Sequence, residues 1–149
     1  MSTAVRVVAR FNDGRVLKGT TQDFSPSRPS FHLVPMAGGP PVQVRCADLK
    51  AVLFVKSHEG DARRTKLRGF VEAPAEVAQG RKIAVRFKDG ELICGYTLSY
   101  TPDRDGFFLL PADADGNNIR IYVVTASAAE VKAGPAAEAL AQRVLGAKV

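Results

Sequence analysis

Tryptophan is absent from this chain, and histidine and cysteine occur only twice each. An enzyme needs positioned acid, base or nucleophilic groups. His32 and His58 stand apart from any nucleophile or metal-ligand spacing, and there is no HExxH, CxxC, nucleophile elbow or phosphate-binding glycine loop. The run Asp113-Ala-Asp115-Gly-Asn117 has the start of a calcium loop but lacks the bidentate Glu at its twelfth position, so it reads as a polar hairpin loop. A protein without catalysis, cofactor or metal is expected. Apolar runs of the ~18–20 residues that span a bilayer are also lacking. The first residues, MSTAVRVVARF, enter a strand pattern with no apolar leader or cleavage site, which predicts a cytoplasmic protein with no membrane partner.

What the chain does have is a self-match. Residues 10–35 (RFNDGRVLKGTTQDFSPSRPSFHLVP) and 86–111 (RFKDGELICGYTLSYTPDRDGFFLLP) align without a gap at a shift of 76. Arg10/Arg86, Phe11/Phe87, Asp13/Asp89, Gly14/Gly90, Gly19/Gly95, Thr21/Thr97, Pro26/Pro102, Arg28/Arg104, Phe31/Phe107, Leu33/Leu109 and Pro35/Pro111 are identical. A fixed period marks repetition of one structural unit. Four segments follow: a first β repeat over 1–56, a basic polar linker over 57–80, a second β repeat over 81–132 and a C-terminal helix over 133–149. Units this small bury too little surface to be stable alone, so the copies are expected to share a core or an interface. Cys94 aligns with Lys18, and Cys46 with Val123 or Tyr122. Thiols at unmatched positions read as incidental and reduced rather than as a duplicated disulfide.

Within the first copy, Val5, Val7, Ala9 and Phe11 alternate with Arg6, Val8 and Arg10, the period of a half-buried strand. Asn12-Asp13-Gly14 supplies a hairpin turn, and Val16 to Phe24 returns. Gly19 and Gly95 sit inside the returning strands, where glycine costs stability; a bend or a close backbone approach is expected there. Ser30–Val34, Val42–Arg45 and Ala51–Val55 complete five strands. The second copy follows the same order, with one inserted residue bringing Ile119-Arg-Ile121 onto Val42-Gln-Val44. Beyond that the copies part: TASAAEVK replaces LKAVLFVK and reads as a short helix or a frayed edge. Pro135 starts an Ala-rich helix whose Leu140 and Val144 mark one apolar face, expected to cap the β unit.

Charge is unevenly placed. Residues 1–56 hold eight Lys/Arg against three acids, whereas 81–132 hold seven of each sign. The basic first copy suits an anionic partner, with a solubility difference as the plainer reading. The linker carries Arg63, Arg64, Lys66 and Arg68, adequate for phosphate contacts but without aromatics interleaved for stacking. Arg28 and Arg104 lie in Pro-containing loops just before a Phe-containing strand. An arginine on such a loop suits carboxylate or phosphate recognition. Its structural alternative is to bond loop carbonyls or, in the first copy, to pair with Asp23.

Three resemblances follow from these residues. Each copy, through VVARFNDGRVLKGTTQDF and VQVRCADLKAVLFV in the first, resembles the Sm/Hfq-like small barrel; the family's RNA-reading residues have no counterparts in SPSRPS or CADLK. Arg64-Thr-Lys-Leu-Arg68 and Asp23-Phe-Ser25 resemble the two parts of the PilZ motif, which implies cyclic di-GMP binding, but Arg28 stands where that motif has Gly. GRKIAVRFKDGE and GFFLLPADADGNNIRIYVV resemble an uncharacterised family of bacterial proteins.

The expectation is an all-β protein of two tandem, strongly bent, Sm-like barrels related by an internal repeat, with a short C-terminal helix. Its expected function is a non-enzymatic bacterial regulatory or protein-interaction module, docking a protein partner through a sheet edge, the Arg28/Arg104 loops or the helix, with oligomerisation open. The alternative is RNA or cyclic-dinucleotide binding through the first copy and Arg63, Arg64, Lys66 and Arg68.

Overall fold

The computed structural model describes residues 4–56, 81–97, 100, 105–111 and 118–146. Ten strands are present among them: β1 (Val5–Phe11), β2 (Val16–Thr21), β3 (Ser30–Pro35), β4 (Val42–Arg45), β5 (Leu49–Val55), β6 (Arg81–Phe87), β7 (Leu92–Thr97), β8 (Gly106–Pro111), β9 (Asn118–Val124) and β10 (Ala128–Ala133). One helix, α1 (Pro135–Gly146), follows. No helix among the described residues is long and apolar enough to cross a membrane.

Both hairpin turns form as their sequences predict. Gly14 and Gly90 take φ of +93° and +94°, the left-handed region that ends a three-residue hairpin loop. The preceding carboxylates, Asp13 and Asp89, each accept the backbone N–H two residues on, both at 3.0 Å. Gly19 and Gly95 serve a close backbone approach. A Cβ at Gly19 would lie 2.1 Å from the carbonyl oxygen of Val34, and one at Gly95 would lie 2.2 Å from that of Leu110.

The strands form one antiparallel sheet in the order β10-β6-β7-β8-β9-β5-β1-β2-β3-β4. Every pairing of the first half has a counterpart in the second. Val7 faces Gly19 as Ile83 faces Gly95, Phe31 faces Val44 as Phe107 faces Val123, and Val7 faces Phe54 as Ile83 faces Ala133. The pairing runs open from β10 to β4, and none among the described residues closes either half on itself. The coarse expectation therefore holds, a mostly β chain with one short C-terminal helix.

Two details of the expected alignment are corrected. Leu33 faces Val42 and Leu109 faces Ile121, so three residues are inserted before β9 rather than one. The two alignments differ by two residues, which leaves every side chain on the same face; apolar alternation alone cannot separate them. Cys46 consequently matches Thr125, and TASAAEVK is neither helix nor frayed edge. It forms a 3₁₀ turn (Thr125–Ser127) and then β10, as CADLKAVLFV forms Cys46–Asp48 and β5. Pairing to β6 and cover from α1 hold this less apolar segment extended.

The halves join through β5 and β9, with Ala51 facing Val123, Val52 facing Tyr122 and Leu53 facing Ile121. They also share their cores, as the size of each unit requires. Tyr122 and Val124 enter the cluster of Val7, Phe31, Leu33 and Phe54, while Ala51 enters that of Ile83, Val85, Phe87 and Leu109. Phe24 packs edge-on against first-half Phe31 and Phe54 and against second-half Phe108 and Tyr122, with ring centroids 5.1–6.1 Å apart.

Helix α1 spends its apolar face at home. Gly134, at φ +68°, turns the chain back, and Ala137, Leu140 and Ala141 bury against Ala84, Cys94 and Tyr96. The match of Cys94 to Lys18 is thereby explained. Position 18 is exposed on an outer face that no helix among the described residues covers, whereas position 94 lies beneath α1 and is buried. Ion pairs of Lys82 with Glu138 and of Arg143 with Glu130 (2.6 Å) fasten the helix at its rim.

Candidate functional site

Strand β4 ends the sheet, and its backbone alternation sets what it presents. The Cys46 N–H donates to Pro29 O at 2.9 Å, directly beyond the pairing of Ser30 with Arg45. Antiparallel strands alternate hydrogen-bonded and non-bonded pairs. Val42 and Val44 therefore spend their backbone groups on β3, while those of Gln43 and Arg45 point away from the sheet. Pro41, next in that outward row, has no N–H to offer. The free ladder is short and lies between Pro41 and the 3₁₀ turn.

Side chains complete this edge. Val44 is buried against the first-half core, Val42 is 41% exposed, and Gln43 donates through Nε2 to Ser30 Oγ at 3.2 Å. Arg45 is exposed at the end of the strand, and Arg28 is exposed in the loop beside it. That loop is held by local bonds. Arg28 N–H donates to Ser25 O at 3.1 Å, the Ser25 and Ser27 hydroxyls lie 2.9 Å apart, and Cys46 Sγ approaches Arg28 O at 3.8 Å. The Arg28 backbone is thus fixed to the residue that follows Arg45. Neither guanidinium forms a hydrogen bond or ion pair with another described residue.

Asp23 does not pair with Arg28, as the structural alternative had it. His32 takes the carboxylate instead, with Nδ1 2.7 Å from Oδ2 and its backbone N–H donating to Oδ1 at 2.9 Å. Partial burial pushes the Asp23 carboxyl upward, but the bonds from His32 and Thr21 outweigh it and leave the group below its ordinary value. His32 sits on β3 with its side chain outward and 58% exposed. The Asp23–His32 pair fixes the loop that carries Arg28.

Of the other sequence-predicted site residues, Arg63, Arg64, Lys66, Arg68 and Arg104 lie outside the described residues. Among those described, Arg28 has Arg45 as its companion, a residue that the repeat pointed away from because the match at position 124 is Val. The alternation Val42-Gln43-Val44-Arg45 was the available signal, since it puts Gln43 and Arg45 on the face opposite the core valines.

The surplus charge of the first half has an internal destination. Lys50 is 5% exposed, and its ammonium bonds Asp89 Oδ2 at 2.6 Å and Glu91 Oε1, both on the second-half hairpin. Arg10 reaches the same Glu91 at 2.8 Å. The Lys50 ammonium also lies 4.7 Å from the centre of the Phe87 ring. Its hydrogen bond is the main reason that the Asp89 carboxyl sits below its ordinary value. Two of the eight cations of residues 1–56 therefore neutralise the second half rather than a ligand.

Cys46 and Cys94 are free thiols, and burial pushes the Cys46 thiol up, away from the thiolate that nucleophilic chemistry uses. Among the described residues, no group of three or more His, Cys, Asp or Glu could hold a metal ion.

The model of a family of unknown function, DUF6982, matches residues 3–133. No curated protein and no solved structure matches the chain.

Proposed function

The chain belongs to DUF6982, whose function is unknown, and from its own geometry we propose that it is a non-enzymatic interaction module that binds an extended, acidic segment of a partner protein along β4. The observation that carries this reading is the outward backbone of Gln43 and Arg45 beside two exposed guanidiniums without described partners, Arg28 and Arg45. An added strand would take the backbone bonds, and carboxylates at alternate positions would meet the arginines. The loss of Arg10 and Lys50 to internal pairs supports a protein partner over a nucleic acid, because it thins the continuous basic surface that phosphate backbones require.

The same reading takes each half as one Sm-like barrel module from an internal repeat, in a bacterial, cytoplasmic, regulatory setting. Its support is the matched register of the two halves and the sequence self-match at a shift of 76.

Selection of random peptides on the purified protein tests the proposal. The expected result is enrichment of acidic, β-prone peptides on the wild type and not on Gln43→Pro or the double variant Arg28→Ala/Arg45→Ala. Gln43→Pro removes an outward N–H without touching a backbone bond to β3, at the loss of the exposed bond from Nε2 to Ser30 Oγ. Equal enrichment on all three baits would refute docking at β4.

A further inference from the structure

Strand β9 is the second-half counterpart of β4. Phe31, His32 and Leu33 face Val44, Gln43 and Val42 as Phe107, Phe108 and Leu109 face Val123, Tyr122 and Ile121. The outer edge of β9 is occupied. Strand β5 lies on it antiparallel, with Ala51 opposite Val123, Val52 opposite Tyr122 and Leu53 opposite Ile121. Ala51 is buried in the same cluster as Ile121 and Val123, and Leu53 packs against it half-buried.

Exposure differs between the halves at one of the matched positions. Ile121, opposite Leu53, is 2% exposed, whereas Val42 at the same place on β4 is 41% exposed. Val123 and Val44 are both buried. The first half therefore lacks cover at the place that Leu53 fills, and needs only a small side chain at the place of Ala51.

A second copy of this chain does not supply that strand. Its β10 is the counterpart of β5, since Glu130 and Lys132 face Arg86 and Ala84 as Ala51 and Leu53 face Arg10 and Val8. On β4 they would set two charged side chains where the junction has alanine and leucine, and Glu130 is already bonded to Arg143 of α1. Charges at such positions protect a sheet edge from pairing.

Resting on the reading of β4 as a docking edge, we propose that its occupant is an antiparallel strand of a different protein with the pattern acid, small, polar, leucine-sized, read from its N-terminus. The register of β5 on β9 puts the small residue opposite Val44 and the large apolar one opposite Val42. Continued by one residue, it puts the acid opposite Arg45, which stands where β9 has Val124. Residues directly opposite in an antiparallel pair have Cβ atoms about 4.5–5.5 Å apart, within reach of an ion pair. The acid thus meets Arg45 on the outward face, beside the loop of Arg28. The reversed order would put the large side chain opposite buried Val44, the small one opposite Val42 and the acid beyond Arg45.

The test is NMR of the full chain, following backbone amide signals during titration with the peptide STEATLTS and with its reverse, STLTAETS. STEATLTS is expected to shift the β4 signals saturably and to bind about fivefold tighter than its reverse, or more. Two double-mutant cycles check the register. The peptide STEATSTS, without the leucine, should bind wild type about fivefold more weakly than STEATLTS but Val42→Ser less than about twofold more weakly. STQATLTS, without the acid, should show the same contrast between wild type and Arg45→Ala. Equal binding of STEATLTS and its reverse, both lost on Gln43→Pro, would overturn the pattern and leave docking at β4 standing; so would the absence of coupling in both cycles. Binding unchanged by Gln43→Pro would overturn both. No shift with either peptide up to about 5 mM would overturn the pattern, and the random-peptide selection would still decide on the edge. Sedimentation of the chain alone should give a monomer, and self-association lost on Gln43→Pro would overturn the assignment to a different protein.

Discussion

Lys50 permits a quantitative test of how the two halves are joined. Its ammonium is inside the protein, while its partners stand at the rim: the Lys50 side chain is 6% exposed, that of Asp89 56% and that of Glu91 37%. The two sides of this network should therefore respond unequally. Lys50→Met replaces the ammonium with an apolar group of similar length against the Phe87 ring. Asp89 then rehydrates and Glu91 keeps Arg10, so no charge is stranded. The cost should be about 1.5–3 kcal/mol, that of a lost charge-assisted bond. The double variant Asp89→Asn/Glu91→Gln instead leaves a buried ammonium without a counter-charge. Breaking a buried pair in that way costs about 3–5 kcal/mol. Urea titrations followed by far-ultraviolet circular dichroism at neutral pH would measure both. In a chain of this size, 1 kcal/mol corresponds to about 2–4 °C in Tm, so thermal melts should separate the variants by several degrees. A Lys50→Met variant as unstable as the acid-side double variant, or more so, would refute the placement of the charge inside.

The inner glycines should be intolerant of even one methyl group. Gly95→Ala, which would bring Cβ to 2.2 Å from a carbonyl oxygen, should cost about 1–3 kcal/mol, as should Gly19→Ala, measured as a shift in urea midpoint. Stability should also fall in acid. Hydrogen bonds to Lys50 hold Asp89 low and those to Arg143 and Arg86 hold Glu130 low, so their contribution is present above the unfolded values near about 4 and is lost as pH falls through the folded ones. Lys82, raised by its bond to Glu138, adds the opposite limb: its contribution is complete below about 10.4 and is lost as pH rises through the folded value. Thermal melts across the pH range check both signs, and a Tm that stays flat on acidification would contradict the first.

Much of the fold was legible because it is local. The Asp-Gly turns, the alternation of β1 and the inner glycines each state a backbone requirement in one to seven residues. Strand β10 was not legible, because its Ala-Ala-Glu-Val-Lys-Ala owes its form to β6 and α1 rather than to its own side chains. The inserted length before β9 was hidden by the period of two, which is blind to even displacements. At the candidate sites, Arg28 stood out because the repeat kept it. Arg45 did not, since it acquires meaning from a neighbour across the sheet, Ser30 at the open edge. Lys50 looked like one more surface cation until its partners on a hairpin 39 and 41 residues away were placed against it.

The exchange of aromatic side chains across the junction changes what counts as one unit of this protein. Phe24 belongs to the first half by sequence, yet it packs on Phe108 and Tyr122 of the second. Ala51 is supplied by the first half to the core of the other. Neither half can thus drift in sequence independently. A larger residue at 51 must be accommodated around Ile121 and Val123, and a smaller one at 108 leaves a void beneath Phe24. Inheritance at these positions should be joint, so that residues on opposite sides of 57–80 vary together among relatives while exposed positions of the first half's outer face, such as Lys18, vary freely. Severed within 57–80, the pieces would be expected to recover their structure only when mixed.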